Sequence, residues 1–256
     1  MGSETISPVW RSGALCDSAG TLRSGLTAFK GETMAREVEA KFQVESAALF
    51  DILRSAGAVA GYAMTAGETV PQRDTYFDTQ AATLRHAGWS LRLREKAGTL
   101  LVTFKGPFLD EHTRTEIEEA ITKEQAAALR AGRLRDIDSP AVVAALGHVG
   151  DSGIIATLTV ENEREVWYLD ASPAESDGVT GRIKLCFDRV VYTTARAPHK
   201  DGDGGPTPGF ELEAELLEGD VGFLTRVAQE LATEYRLSPE RQSKYERGVD
   251  LLGVFA

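Results

Sequence analysis

The sequence predicts an α+β domain built around one closed, polar β-barrel. The first observation is a charged pattern of period two, in which Glu37, Glu39 and Lys41 share one face of a strand and apolar residues fill the positions between them. The second is that this pattern returns along the chain with charges of both signs. The third is that helical segments are inserted between the strands, as in a single mixed domain.

The charged faces recur in five further segments. They comprise Arg92 and Arg94; Arg114, Glu116 and Glu118; Glu161, Glu163 and Glu165; Arg182, Lys184, Cys186 and Asp188; and Glu211, Glu213 and Glu215. Alternate side chains of a strand point to the same face, so each set shares one face. A single strand of this kind is ordinary at a protein surface. Six of them in one domain indicate the inner walls of a barrel.

The individual elements follow from apolar periodicity and from turn residues. Strands are predicted over residues 37–44, 70–78, 89–95, 100–105, 113–121, 154–170, 182–192 and 210–217. Helices are predicted from Ser46, as the cap, to Gly57, and over residues 123–130 (capped by Thr122), 139–146 and 221–237. The Pro- and Gly-rich residues 196–209 are predicted to form a mobile loop or lid.

Composition restricts the class of protein. The chain has 256 residues, 42% of them hydrophobic, which is enough for a real core. Its formal net charge of -11 disfavours general binding to nucleic acids or membrane surfaces. Cys16 and Cys186 lie far apart, so neither a disulfide framework nor a zinc site is predicted. With no spanning apolar stretch and no signal-peptide core, the cytoplasm is the expected location.

The first 33 residues differ from the rest of the chain. Residues 1–33 are rich in Ser, Gly and Thr without a sustained period, and we predict a flexible leader there. Met34 stands three residues before the first charged strand, so a start site chosen too far upstream would produce such a leader. A short regulatory or targeting segment is the alternative. The functional domain is predicted to span residues 34–256.

An ordered set of motifs resembles the CYTH, or triphosphate tunnel metalloenzyme, family. The set begins with the ExExK strand and continues through residues 89–94 (WSLRLR), 103–107 (TFKGP), 114–118 (RTEIE), 163–164 (ER), 186–189 (CFDR), 210–213 (FELE) and 243–245 (SKY). ExExK alone is a weak pattern, whereas the whole set in this order is specific. The resemblance implies an eight-stranded antiparallel barrel enclosing a charged tunnel that binds a triphosphate.

Binding a triphosphate requires several cations in one place. Arginine supplies planar bidentate donors and lysine supplies a point charge. The candidate substrate-binding residues are Lys41, Arg92, Arg94, Lys105, Arg114, Arg164, Lys184 and Lys244. Each of them alone is typical of a solvated surface, and it is the matched set that favours phosphate binding. Tyr76 and Asp78, which share a strand face, either line the tunnel mouth or pack in the core.

Carboxylates beside a phosphate need a cation between them. Mg²⁺ takes oxygen ligands and bridges carboxylates to substrate phosphates, and Mn²⁺ suits the same ligands. We therefore predict Mg²⁺ or Mn²⁺ as the cofactor. The predicted metal ligands are Glu37, Glu39, Asp188, Glu211 and Glu213.

The predicted reaction is metal-assisted phosphoryl transfer to water. The predicted catalytic residues are Glu37, Glu39, Lys41, Glu116 and Glu118, of which the last two either position the water or hold an arginine. Inorganic tripolyphosphate is the leading substrate, because no aromatic cluster is evident for an organic group. The alternatives are an adenylate cyclase, a thiamine or nucleoside triphosphatase, and a non-catalytic polyphosphate-binding module. We expect a monomer or homodimer with no nucleic-acid or membrane partner.

Overall fold

Eight antiparallel strands close into a barrel in the computed structural model, which describes residues 22–23, 27–29, 32–110, 112–172, 179–195 and 206–255. The strands of the chain are β1 (Leu22–Arg23), β2 (Thr27–Phe29), β3 (Glu32–Val44), β4 (Ala58–Val59), β5 (Tyr62–Thr79), β6 (Ser90–Lys96), β7 (Thr99–Phe108), β8 (Thr113–Ala120), β9 (Ile154–Ala171), β10 (Gly181–Thr194), β11 (Thr207–Gly219) and β12 (Ser238–Pro239). The predicted α+β barrel is confirmed.

The barrel is closed by the pairing of its first and last strands. Around it the order is β3, β8, β7, β6, β5, β9, β10 and β11, and β11 then pairs with β3. In that last ladder Lys41 lies opposite Glu213 and Glu39 lies opposite Glu215. Because closure leaves none of these eight strands at an edge, their inward side chains form one continuous wall.

In the described part of the chain, six α-helices lie outside the barrel or at its end. They are α1 (Ala48–Ala56), α2 (Thr83–His86), α3 (Lys123–Arg130), α4 (Pro140–Val149), α5 (Val221–Thr233) and α6 (Lys244–Leu252). Thr122 caps α3 as predicted, whereas Ser46 does not cap α1, because Ala47 stands at that position without a side-chain bond. No helix of the described residues has the length and apolar character needed to cross a bilayer.

Several predicted boundaries differ from the observed ones. The strand predicted over residues 70–78 begins earlier, at Tyr62, and the helix predicted to reach residue 237 ends at Thr233. Of the predicted loop 196–209, residues 196–205 lie outside the described part of the chain, and Thr207 already belongs to β11. Apolar patterning locates an element, but its ends depend on tertiary pairing.

The predicted leader supplies two short paired strands. Leu22 and Arg23 of β1 pair with Gly219 and Glu218 of β11, and β2 pairs with the beginning of β3. Neither segment is one of the eight strands of the closed barrel, and the leader over residues 1–33 stays a prediction. The other residues of the predicted leader, up to residue 31, lie outside the described part of the chain.

Of the six charged faces, the one on β9 points away from the barrel interior. Glu161 and Glu163 are exposed, whereas Asn162 and Arg164 between them are buried. Glu165 shares the outer face and accepts a hydrogen bond from Arg54 of α1 at 2.6 Å. The prediction that these three glutamates form an inner wall is wrong, because a period of two identifies two faces without saying which is inside.

The interior of the barrel has an apolar end and a charged end. At the apolar end, inward side chains of β5, β9 and β10 pack against Tyr245 and Val249 of α6. Gly248 lets this helix approach closely, since a Cβ at that position would lie 2.6 Å from a methyl carbon of Leu158 and 2.7 Å from the ring of Tyr192. Helix α6 therefore fills the apolar end of the barrel, and its first residue, Lys244, lines the cavity at the charged end.

The close approach at Gly248 predicts that a methyl group added at this position destabilises the fold. Gly248→Ala should lower the free energy of unfolding by about 1–3 kcal/mol, because the added methyl group overlaps two buried side chains. Urea denaturation of the two proteins measures the difference. Gly147→Ala in α4 is the matched control: its Cβ would meet nothing within 4 Å, so a gain of up to about 1 kcal/mol from helix propensity is expected. Equal changes in both variants would contradict the proposed close contact.

Candidate functional site

The charged end of the barrel encloses a cavity of about 130 Å³. It brings together all eight cations predicted to bind substrate, which come from six strands and from α6: Lys41, Arg92, Arg94, Lys105, Arg114, Arg164, Lys184 and Lys244. Glu37, Glu116, Glu118, Glu213 and Glu215 also line the cavity. Strand alternation places these groups on inner faces, and barrel closure brings the faces together.

The two glutamates of the ExExK strand lie among cations. Glu37 Oε2 accepts hydrogen bonds from Lys105 Nζ at 2.7 Å and from Arg114 Nε at 2.9 Å. Arg114 Nη2 lies 2.5 Å from Glu39 Oε1, and Lys41 Nζ lies 3.7 Å from the same oxygen. Burial opposes ionisation of Glu37, but Lys105 and Arg114 outweigh it and hold its pKa well below the usual range. Burial and the charge of Glu37 raise the pKa of Glu39.

A buried aspartate that the sequence reasoning missed holds the two arginines of β6. Asp74 accepts hydrogen bonds from Arg94 Nε and Nη2, both at 2.8 Å, and from Arg92 Nη1 at 3.3 Å. Burial works against the charge of Asp74, but Arg94 and then Arg92 outweigh it and lower the pKa of this carboxyl group. The signal was available, because Asp74 lies two positions before Tyr76 on the same strand face.

Glu116 and Glu118 differ in how strongly they are held. Glu118 Oε2 accepts a hydrogen bond from Thr103 Oγ1 at 2.7 Å and one from Arg92 Nη2 at 3.3 Å. Glu116 Oε1 lies 3.2 Å from Lys105 Nζ and 3.9 Å from Arg92 Nη2. Burial, opposed by Lys105 and reinforced by the negative charge of Glu37, raises the pKa of Glu116 to about 7. Glu118 is therefore hydrogen-bonded to an arginine, and Glu116 is the less constrained carboxylate.

Three carboxylates on neighbouring strands form an acidic cluster. Asp188 of β10 and Glu211 and Glu213 of β11 each offer an oxygen, and these oxygens lie within 4.8 Å of one another. An oxygen-only donor set of this size suits Mg²⁺ or Mn²⁺. Among the described residues, this group has the geometry for a metal ion. Glu37 and Glu39, which were also predicted as ligands, are not members of it.

Side-chain cations surround the acidic cluster. Arg164 Nε donates to Asp188 Oδ1 at 2.8 Å and Arg164 Nη2 donates to Asp188 Oδ2 at 2.6 Å, with a further bond to Glu213. Lys244 of α6 bonds to Glu213 at 2.7 Å and Arg247 bonds to Glu211. Sequence reasoning missed Arg247. It follows Lys244 by three positions and therefore lies on the same helix face.

Tyr76 and Asp78, for which the sequence allowed either the tunnel mouth or the core, lie in different surroundings. Tyr76 lines the cavity and stacks on Tyr245, with ring centroids 5.1 Å apart. Asp78 is fully buried and accepts the backbone N–H groups of Leu84 and Arg85, both at 2.9 Å, and the hydroxyl of Tyr245 at 3.1 Å. Asp78 thus anchors α2 and α6 to the barrel.

The family follows from a comparison of the sequence with known domains. The CYTH domain matches residues 35–249. The chain belongs to the CYTH family. Comparison with curated protein sequences finds no match.

Solved structures resemble this CYTH domain in fold. One is a candidate adenylate cyclase from Bacillus halodurans, 21% identical with a TM-score of 0.56, covering 82% of this chain and 96% of that one. Another is HpAC1 from Hippeastrum, a candidate adenylyl cyclase with a dominant triphosphatase activity. It is 18% identical with a TM-score of 0.57, and the match covers 84% of this chain and 95% of that one. At these identities the likeness shows the fold alone.

The buried pairing of Asp74 predicts a pH-dependent contribution to stability. Asp74→Asn should lower the free energy of unfolding by about 3–5 kcal/mol near pH 7, because it removes the buried carboxylate that pairs with Arg94 and, together with Glu118, with Arg92. The folded-state pKa of Asp74 is below its unfolded value of about 3.9. Its contribution is therefore complete above that value and is lost as the pH falls through the lower folded-state pKa.

This effect is measured by urea denaturation of both proteins between pH 3 and pH 7. That range includes the unfolded-state pKa of about 3.9. The control is Asp170→Asn, since the Asp170 side chain is 61% exposed and lies 3.5 Å from Arg182. That variant should change stability by less than about 0.5 kcal/mol. A difference between the parent and Asp74→Asn that stays constant down to the acid end would contradict the assignment.

Proposed function

We propose that this CYTH domain is a metal-dependent hydrolase that removes the terminal phosphate of a triphosphate, with inorganic tripolyphosphate as its substrate. The observation that carries the proposal is the convergence of eight Lys and Arg side chains on one cavity of about 130 Å³. Five glutamates also line the cavity, so eight cations face five carboxylates there. A compact polyanion fits such a site, because it can replace carboxylates as the partner of the cations.

The lining of the cavity favours an inorganic substrate. Tyr76 is the one aromatic side chain among the described residues of the lining, and the others are charged or carry a hydroxyl group. A nucleobase or a thiazolium ring binds best in a largely apolar pocket. The dominant triphosphatase activity of the Hippeastrum protein, which shares the fold, also supports hydrolysis over cyclisation.

The cations of the cavity would bind the phosphate oxygens and stabilise the transition state. Arg92 and Arg94, held by Asp74, would bind phosphate oxygens through planar donor pairs. Lys105 and Arg114 would bind further oxygens while Glu37 holds them in place. These preorganised cations would neutralise the charge that develops on the transferred phosphoryl group.

The carboxylates supply the metal site and orient water. Asp188, Glu211 and Glu213 would hold Mg²⁺ or Mn²⁺, which when bound polarises phosphate oxygens. We assign to Glu116 the orientation of the attacking water, because it lines the cavity and is less constrained than Glu118. We further propose that the enzyme works on this small molecule in the cytoplasm as a monomer or homodimer, without a nucleic-acid or membrane partner.

A substrate panel tests the proposed reaction. With Mg²⁺ or Mn²⁺, the protein should release phosphate and pyrophosphate from tripolyphosphate, with kcat/KM at least about tenfold higher than for ATP or thiamine triphosphate, because the cavity offers the organic groups little apolar contact. Phosphate release and product analysis by ³¹P NMR provide the measurement. Cyclic AMP from ATP would show a cyclase instead. Tight triphosphate binding without any product would show a non-catalytic binding module.

Two variants separate phosphate binding from metal binding. Arg92→Ala should lower kcat/KM for tripolyphosphate by about 30-fold to several thousand-fold, since a charge-assisted contact in a shielded site contributes about 2–5 kcal/mol. It should leave Mn²⁺ affinity in the absence of substrate nearly unchanged. Glu213→Gln should weaken Mn²⁺ binding, because it removes a ligand charge.

Calorimetry with Mn²⁺ and steady-state kinetics on the same preparations distinguish these roles. Glu161→Gln is the control, since Glu161 lies on the exposed outer face of β9 and should change neither quantity. If Arg92→Ala loses metal while Glu213→Gln retains it, the roles are reversed and the assignment is wrong.

A further inference from the structure

We propose that the ammonium group of Lys244 occupies the metal position in the acidic cluster, so that Lys244 and a divalent cation compete for the same three carboxylates. Bound metal would then release the ammonium group into the phosphate cavity. The inference deepens the proposed function, because it concerns the metal site assigned above. Its test is metal binding, which requires no turnover.

The contacts of Lys244 are those of a bound cation. Its Nζ lies 2.9 Å from Asp188 Oδ2 and 2.7 Å from Glu213 Oε1, and it also donates to Glu211 Oε1. An ammonium group has three N–H donors, and here each has a different carboxylate as its partner. These are the same three residues whose oxygens lie within 4.8 Å of one another. A metal ion bound by all three would fall where Nζ now lies.

The charge balance of the cluster makes the competition necessary. Three cations, Arg164, Lys244 and Arg247, together bond to both oxygens of every carboxylate in the cluster, and Arg247 also lies 3.4 Å from Glu240. Asp188 and Glu211 are fully buried. Adding a divalent ion while all three cations keep these contacts would place two further positive charges among buried cations, which is costly at low dielectric. Exchanging the ammonium group for the ion removes one of them.

Of the three cations, Lys244 is the one that can leave. Arg164 is fixed by two parallel bonds to Asp188, and Arg247 is buried against Glu211. Lysine carries its charge on a flexible four-carbon stem and loses less fixed geometry when it moves. Lys244 also lines the phosphate cavity, so its ammonium group has a second position within reach.

The backbone of α6 need not move during this exchange. The helix is held to the barrel by the Tyr245 hydroxyl, which donates to Asp78, and by the close contact at Gly248. Release of Lys244 would therefore change one side chain and add one cation to the phosphate cavity. Metal and triphosphate should accordingly strengthen each other's binding, and by linkage this effect is reciprocal.

The experiment measures Mn²⁺ affinity by calorimetry and by electron paramagnetic resonance on the full chain. Lys244→Met should bind Mn²⁺ at least about tenfold more tightly than the parent protein in the absence of substrate, because the competitor is gone. Tripolyphosphate should strengthen Mn²⁺ binding in the parent and do so much less in this variant. Arg247→Met is the matched control: it removes one charge from the same helix face but leaves the centre of the cluster occupied. Its affinity should stay within about threefold of the parent.

Unchanged or weaker Mn²⁺ binding by Lys244→Met would overturn the inference, as would equal gains in both variants, which would indicate a general charge effect.

Near-ultraviolet circular dichroism and thermal melting verify that the variants fold. If Lys244→Met does not fold, ¹⁵N NMR of the lysine ammonium groups in the parent protein replaces it, and Mg²⁺ should shift the Lys244 resonance. Absence of that shift at saturating Mg²⁺ would also overturn the inference about Lys244. Competition without tripolyphosphate hydrolysis would uphold the inference while the proposed function fails.

Discussion

The pairing of buried charges is the constraint on which the rest of this structure depends. A charged side chain in a barrel interior loses most of its hydration, and an unpartnered one costs several kcal/mol. The inner wall meets this constraint with interlocking ion pairs: Asp74 with the two arginines of β6, Glu37 with Lys105 and Arg114, and Arg164 with Asp188. Because these partners lie on different strands, the pairs also fix how the strands are arranged around the cavity.

Helix α6 connects the stability of the barrel with its proposed chemistry. Its apolar residues, Tyr245 and Val249, fill one end of the interior, while Lys244 and Arg247 reach the acids of β10 and β11. The same nine-residue helix therefore closes the core and completes the charge balance of the acidic cluster. Packing at Gly248 sets the depth to which the helix enters and so places the lysine among the carboxylates.

Sequence alone identified most of the components of the site. All eight predicted cations line one cavity, because two-residue periodicity places alternate side chains of a strand on the same face. The recurrence of charged strand faces also predicted a closed barrel, which the pairing of β11 with β3 confirms. Local patterning carries this information because it depends only on residues close together in the chain. The functional roles of these residues remain predictions.

Only the tertiary structure decided which face of a strand is inside and which charges meet. Glu161 and Glu163 alternate as regularly as Glu211 and Glu213, yet the first pair lies outside. The partners of Asp74, Arg247 and Glu37 could not be read from local pattern, because each contact joins residues at least 20 positions apart in sequence. Such contacts are set by strand register and barrel closure. Sequence therefore determined the charged faces, and closure of the barrel determined their partners.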